Sequence, residues 1–147
     1  MSLDNEASLI RYAPIMVDYT QTVKELLEKL EYDWCHPDIS KVEEEIQEVA
    51  QEVLFYLIPF RKGTKDPQVI TERLKSLQLR GAYLKELLVF GAAYKKERER
   101  GYIFAPGEMI ENCFPFLPIS DAVLTVSLLE NRFLLAGNCY CLSVPLL

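Results

Sequence analysis

The chain has 147 residues, 50% of them hydrophobic and 26% charged, with a formal net charge of −6. This composition is typical of a globular protein long enough to bury one core, and it excludes a disordered chain and disfavours a nucleic-acid binder. The 4 cysteines lack the paired short spacings of structural zinc sites, so we expect packed, reduced thiols and no cofactor.

Charge is distributed unevenly along the sequence. Residues 1–60 hold 4 basic and 13 acidic side chains, residues 61–101 hold 11 and 5, and residues 102–147 hold 1 and 4. We interpret residues 1–147 as a single domain with an acidic helical half (1–60), a basic long helix (61–101) and an apolar C-terminal segment (102–147). No secretory leader is evident and no apolar run reaches the roughly 20 residues of a membrane span, which predicts a cytoplasmic chain.

In the acidic half, apolar residues recur every three or four positions, a spacing typical of amphipathic helices. The pattern predicts a short helix over 4–12 and a second helix from Met16 to Trp34. The sequence "SKVE" at 40–43 resembles a capping box and predicts a third helix, which Pro59 closes. The predicted fold class is therefore mainly α, a bundle of about four to six helices with a long central helix.

The central helix is predicted over 67–99, with Pro67 in its first turn and apolar residues at four-three spacing. Gly81 and Gly91 fall on the apolar stripe, where we expect them to allow a close helix crossing. The alternative is a break near Arg80–Gly81 that divides the segment into two helices.

The C-terminal segment begins with an apolar stretch, residues 102–119, that contains Pro106, Pro115 and Pro118. Because each proline removes a backbone donor, we expect this stretch to fold back over the bundle without regular structure. Residues 121–143 fit either a helix, which we slightly favour, or a short β-hairpin near 123–143, since Leu124, Val126 and Leu128 alternate with polar residues.

The scarcity of charge after residue 101 predicts an interface. Interface cores are depleted in charge and rich in aromatic residues and Met. The function that we predict is a non-enzymatic protein–protein interaction or assembly module, a homo-oligomer that associates through its C-terminal third. The candidate interface residues are Tyr102, Phe104, Met109, Phe114, Phe116 and Leu117.

An enzymatic alternative comes from "EEEIQE" at 43–48. On a helix, Glu44, Glu45 and Glu48 resemble the first half of the metal-binding motif of the all-helical MazG-type nucleoside triphosphate pyrophosphohydrolases. The resemblance implies magnesium-dependent nucleotide hydrolysis on an acidic helix, residues 43–52. The second half of that motif is missing, because neither Asp66 nor Asp121 has a Glu three positions before it.

A second alternative is an anion or nucleic-acid site on the basic segment 61–85. Lysine and arginine side chains that follow one another on a loop and a helix can contact phosphates. Phe60 is the one aromatic residue beside the loop that is available for base stacking. The candidate anion-binding residues are Arg61, Lys62, Lys65, Arg73 and Arg80.

Overall fold

The computed structural model describes residues 9–42, 47–60, 67–120, 123–130 and 139–146. These residues form mostly strands, which build a mixed sheet, with short helices packed on both of its faces. The prediction of an all-alpha helical bundle is therefore wrong. No helix in the described ranges is both long and apolar enough to cross a membrane.

The elements are as follows in chain order. The strands are β1 (Ile10–Arg11), β2 (Ile15–Asp18), β3 (Trp34–Cys35), β4 (Ala50–Val53), β5 (Tyr56–Phe60), β6 (Leu79–Gly81), β7 (Tyr102–Phe104), β8 (Cys113–Leu117), β9 (Thr125–Glu130) and β10 (Cys139–Pro145). The helices are α1 (Val23–Lys29), α2 (Pro37–Ser40), α3 (Pro67–Ser76), α4 (Leu84–Ala93) and a 3₁₀ helix (Lys95–Glu99).

The main sheet has the strand order β1-β5-β10-β7-β8-β9-β3, and β6 also pairs with β10. The β10–β7 and β9–β3 pairs are parallel, and the other pairs are antiparallel. β2 and β4 form a separate antiparallel ribbon. β1 pairs with β5, and β2, the next strand along the chain, pairs with β4, which directly precedes β5. The ribbon therefore extends one end of the main sheet.

Each face of the sheet carries its own hydrophobic core. On one face Leu57 and Leu142 pack with Leu88 of α4 and Leu26 of α1. On the other face, strand residues such as Ile58 and Cys141 pack with Ile70 of α3. Alternation of side chains along β5 and β10 thus sends neighbouring residues into different cores.

Of the three helices predicted in the acidic half, the second and third are not formed, and the described part of the first, residues 9–12, contains β1. The segment from Met16 to Trp34 contains β2, α1 and β3, and α1 begins at a capping box in which Thr22 Oγ1 accepts from the Glu25 backbone N–H. Ser40 ends α2 instead of beginning a helix, and residues 50–60 form β4 and β5. Residues 1–8 and 43–46 lie outside the described part of the chain.

The prediction of one long central helix is also wrong. The alternative prediction, a break near Arg80–Gly81 that gives two helices, is confirmed. α3 ends at Ser76, Gln78 adopts a left-handed conformation with φ of 59°, and β6 follows before α4 begins. Gly81 therefore lies in a strand and not at a helix crossing. A Cβ atom there would stand 2.7 Å from the Gly107 backbone nitrogen, so a turn of the chain is what approaches Gly81 closely.

The proline-containing segment 102–119 has regular structure after all, since it contains β7 and β8. A tight turn with positive φ at Glu111 and Asn112 precedes β8, and Ile110 and Cys113 exchange both backbone hydrogen bonds across it. Within 123–143, the described residues form β9 and β10 and not the favoured helix. These two strands do not pair as the predicted hairpin, because β9 lies between β8 and β3.

Candidate functional site

The best candidate for a binding site is a cleft of about 480 Å³ at the junction between the β2–β4 ribbon and the main sheet. It opens because β10 pairs with β5 as far as Ser143, opposite Tyr56, and then follows β6 instead of β4. Leu146 continues this departure by donating its backbone N–H to Gln78. The cleft is lined by Gln51, Glu52, Val53, Leu54, Arg80, Tyr83, Val144, Pro145 and Leu146.

One wall of the cleft is the outer edge of β4. The Tyr19 backbone N–H donates to the Val49 carbonyl, which makes Tyr19–Val49 a hydrogen-bonded pair of the antiparallel ladder. Hydrogen-bonded pairs recur every second residue, so Gln51 and Val53 also direct their backbone groups towards β2. The N–H and C=O groups of Ala50 and Glu52 therefore point away from β2.

These outward groups define what we call the β4 edge: the backbone N–H and C=O groups of Ala50 and Glu52. No strand among the described residues pairs with this edge. The edge lies on the side of β4 that corresponds to the β10 side of β5, so it continues the line along which β10 is bonded.

The opposite wall holds a buried carboxylate at the start of α4. Glu86 is fully buried and accepts hydrogen bonds from three residues. Arg80 donates from Nη1 and Nη2 at 3.0 and 2.8 Å, and the Tyr83 backbone N–H donates at 2.7 Å. The Tyr19 hydroxyl donates to Glu86 Oε2 at 2.5 Å. We call Tyr19, Arg80, Tyr83 and Glu86 the Glu86 cluster.

The Glu86 cluster fixes the charge and position of Arg80. Burial opposes the charge of this guanidinium, but the hydrogen bonds and the negative charge of Glu86 outweigh burial and raise the pKa of Arg80. The guanidinium also lies 4.1 Å from the centroid of the Tyr83 ring, and that ring is 41% exposed. Arg80 thus stays protonated, its charge is compensated by Glu86, and it holds the exposed ring of Tyr83 in place at the cleft.

The same cluster ties the ribbon to the sheet. Burial raises the pKa of Tyr19, and its hydrogen bond to Glu86 raises that pKa further. Tyr19 therefore remains a donor at neutral pH. Because Tyr19 directly follows β2, this hydrogen bond holds the ribbon against α4 and keeps the cleft in its shape.

The structure separates the predicted interface residues into two groups. Phe104, Phe114 and Leu117 are buried inside the chain, where Phe114 stacks on Phe104 at 5.9 Å between centroids. Tyr102 and Phe116 are half-buried and pack edge-to-face, and Met109 is exposed. Of the six predicted interface residues, Tyr102, Met109 and Phe116 therefore offer surface to a partner.

The alternative metal and anion residues are not gathered into one site by the described residues. Glu48 is exposed in a bend before β4, whereas Glu44 and Glu45 lie outside the described part of the chain. Arg61, Lys62 and Lys65 also lie outside it. Arg73 belongs to α3, on the opposite face of the sheet from the Glu86 cluster. Within the described ranges, no group of three or more His, Cys, Asp or Glu residues is placed to hold a metal ion.

Searches of protein-family models, of curated proteins and of solved structures find no match to this chain.

Sequence reasoning missed Glu86, Tyr19 and Tyr83. A signal for Glu86 was present in the sequence, because Glu86 lies three residues after Tyr83, the N-cap residue of α4. At this spacing a Glu side chain accepts a hydrogen bond from the backbone N–H of the N-cap residue. No local pattern linked Glu86 with Tyr19, which is 67 residues away in sequence.

Proposed function

We propose that this protein is a non-enzymatic interaction module that binds an extended segment of a partner protein by strand addition to the β4 edge. The observation that carries the proposal is the set of outward-facing backbone groups at Ala50 and Glu52, which have no paired strand in the described residues. Glu52 lines the cleft, so this edge runs into it. Addition of a strand to such an edge is a recurrent mode of peptide recognition, in which main-chain hydrogen bonds supply the affinity.

The surroundings of the edge support binding of a chain segment. Tyr83 and Leu146 are both exposed beside the edge, so apolar side chains of a bound strand would find apolar contacts in the cleft. The Glu86 cluster makes the far wall rigid through four hydrogen bonds, which limits the entropy lost on binding.

The magnesium-dependent alternative has less support, because the helix that it requires is not formed by residues 47–53. Nucleic-acid binding also has less support. Arg80, one of the residues predicted to contact phosphate, already forms an ion pair with Glu86. The cleft beside Arg80 also carries the carboxylate of Glu52, which would repel a phosphate.

Self-association through the C-terminal third is the weaker form of the interaction proposal. Its surface consists of Met109 with the half-buried rings of Tyr102 and Phe116, whereas Phe104, Phe114 and Leu117 are enclosed by the chain's own two cores. The β4 edge offers directional main-chain groups in addition to apolar contacts.

The experiment compares two proline variants of β4 for binding a neutral probe. The probe is a fluorescein-labelled peptide of about eight residues that alternates valine with threonine, a composition that favours strands. Glu52→Pro removes an outward N–H and leaves the ribbon ladder intact, so we expect a folded protein whose binding is weaker by about 3- to 10-fold. Fluorescence anisotropy measures the binding.

Gln51→Pro is the matched variant, because it removes an N–H that points towards β2. We expect it to lower the free energy of unfolding, and Glu52→Pro to leave that free energy nearly unchanged. Equal binding of the probe by the parent and by Glu52→Pro would overturn the proposal. Absence of any binding of the probe would also overturn the proposal. The charge on the edge strand would then serve to prevent pairing with another strand.

A further inference from the structure

We infer that the partner segment alternates basic residues on one face with apolar or aromatic residues on the other, and that Glu52 and Tyr83 respectively recognise the two faces. This inference rests on the proposed strand addition and adds the chemistry of the partner to it.

The basic face follows from the outer surface of the ribbon. Met16 lies opposite Glu52, and Asp18 lies opposite Ala50, so these four residues share one face of the ribbon. Met16, Ala50 and Glu52 are exposed, whereas the next residue of each strand, Val17 and Val53, belongs to the core. The exposed face therefore carries two carboxylates beside an exposed methionine.

Glu52 is placed to face a strand added beside β4, and Asp18, one strand further in, adds negative charge to the same face. Hydrogen bonds from the side chain and backbone of Thr20 lower the pKa of Asp18, so this residue is ionised at neutral pH. Glu52 is on the edge strand itself, so a residue of the added strand would lie directly opposite it. Opposite charges on directly facing residues stabilise a strand pair, and like charges destabilise it.

The apolar face follows from the side of the cleft that α4 covers. Val53 and Val144 line the cleft and belong to the core on the α4 face of the sheet. Tyr83 precedes α4 and lies with Arg80 along the same cleft. Every second side chain of an added strand would therefore face Tyr83 and the neutralised Arg80, a setting suited to an aromatic or aliphatic group.

The same charges argue against a second copy of this chain as the occupant. Antiparallel pairing of β4 with a second β4 in a register that faces Glu52 with itself, or with Glu48 of the copy, opposes like charges. The sequence leading into β4 is also rich in glutamate. A basic segment of a different protein is complementary to this surface, whereas a second copy in either of these two registers opposes like charges.

The test uses three peptides of about eight residues that share alternating valine and differ in the residue between: lysine, threonine or glutamate. We expect the lysine peptide to bind the parent protein about 3- to 10-fold more tightly than the threonine peptide, and the glutamate peptide to bind more weakly than either. Glu52→Lys should reverse the order of the lysine and glutamate peptides. Glu72→Lys on α3, which changes the net charge equally on the other face of the sheet, should preserve the parent's order.

A lysine peptide N-methylated at every second residue tests strand addition separately from the basic character of the partner. If the lysine peptide loses binding on methylation but binds no better than the threonine peptide, strand addition stands and the basic partner is wrong. If methylation has no effect, binding is electrostatic adhesion without strand pairing, and both are wrong. Retention of the parent's preference by Glu52→Lys overturns the role of Glu52.

Discussion

Glu86 is a single residue that links three parts of the molecule. Its carboxylate accepts from Tyr19 after β2, from Arg80 in β6 and from the Tyr83 backbone at the start of α4. A buried carboxylate is stable only when its hydrogen-bond capacity is used, and here every donor comes from a residue that borders or supports the cleft.

Glu86→Gln should lower the free energy of unfolding by about 2 to 4 kcal/mol. Removing the charge leaves the guanidinium of Arg80 partly buried without its ion-pair partner, and the amide nitrogen of Gln faces donors. Urea unfolding measures the change. Glu99→Gln on the exposed end of the 3₁₀ helix is the control and should stay within about 0.5 kcal/mol of the parent. An equal effect of both substitutions contradicts the account.

Ionisation of Tyr32 makes the free energy of unfolding depend on pH in the alkaline range. Burial raises the pKa of Tyr32, and its hydroxyl donates to the Leu88 carbonyl at 2.7 Å. An unfolded tyrosine ionises near pH 10, so the contribution of Tyr32 is complete below about pH 10 and is lost as the pH rises further, by up to about 1.4 kcal/mol per pH unit.

Tyr32→Phe removes this ionisation together with one hydrogen bond. We expect the variant to be less stable than the parent at neutral pH by about 1 kcal/mol and the difference to shrink as the pH rises above about 10. Urea unfolding at a series of pH values measures it. A difference that stays constant through the alkaline range contradicts the assignment.

Among the secondary-structure elements, the sequence predicted those whose signals are local. The proline in the first turn located the start of α3 at Pro67. The alternation of Leu124, Val126 and Leu128 with polar residues describes β9, although the favoured prediction for these residues, a helix, is wrong.

The helices predicted for the acidic half failed for a physical reason. Apolar residues at three-four spacing, such as Val49, Val53 and Leu57, fit a helix as well as a strand with one irregularity, and β-branched residues favour the strand. What decides is pairing with distant segments: Leu57 lies opposite Leu142 of β10 and Ile10 of β1. The β4 edge, being defined by this pairing, was not predictable from residues 47–54 alone.

Gly81 tests the packing of β6 against the Pro106–Gly107 turn that follows β7. A Cβ at this position would lie 2.7 Å from both the Gly107 nitrogen and the Pro106 ring, and backbone atoms cannot withdraw as a side chain can. Gly81→Ala should therefore destabilise the protein by about 1 to 3 kcal/mol.

Gly91→Ala is the comparison, because its added methyl group would meet side-chain ends of Leu117 and Tyr32 and would improve helix propensity in α4 by about 1 kcal/mol. Thermal unfolding should rank Gly81→Ala below Gly91→Ala. The reverse order would show that the Pro106–Gly107 turn moves away at little cost.

For the whole molecule, the apolar residues of the C-terminal third that the structure describes lie chiefly in the two cores on the faces of the sheet. Phe114 is 3% exposed and stacks on Phe104. Phe114→Ser should reduce the free energy of unfolding by about 3 to 5 kcal/mol, as for other large-to-small changes in a core. Sedimentation equilibrium should give the same mass for the variant and the parent.

Met109→Ser is the matched surface variant, since Met109 is 47% exposed. We expect its stability to remain within about 0.5 kcal/mol of the parent. A smaller assembly mass for Met109→Ser than for the parent would instead establish self-association through this surface.

The measurement that tests strand addition most directly is residue-resolved amide hydrogen exchange along β4, with and without the lysine peptide. In the free protein we expect fast exchange at Ala50 and Glu52, whose N–H groups point outwards, and slow exchange at Gln51 and Val53, whose N–H groups bond to β2. The peptide should slow exchange at Ala50 and Glu52 and leave Gln51 and Val53 unchanged. Binding of the peptide with no protection at Ala50 and Glu52 would contradict the account.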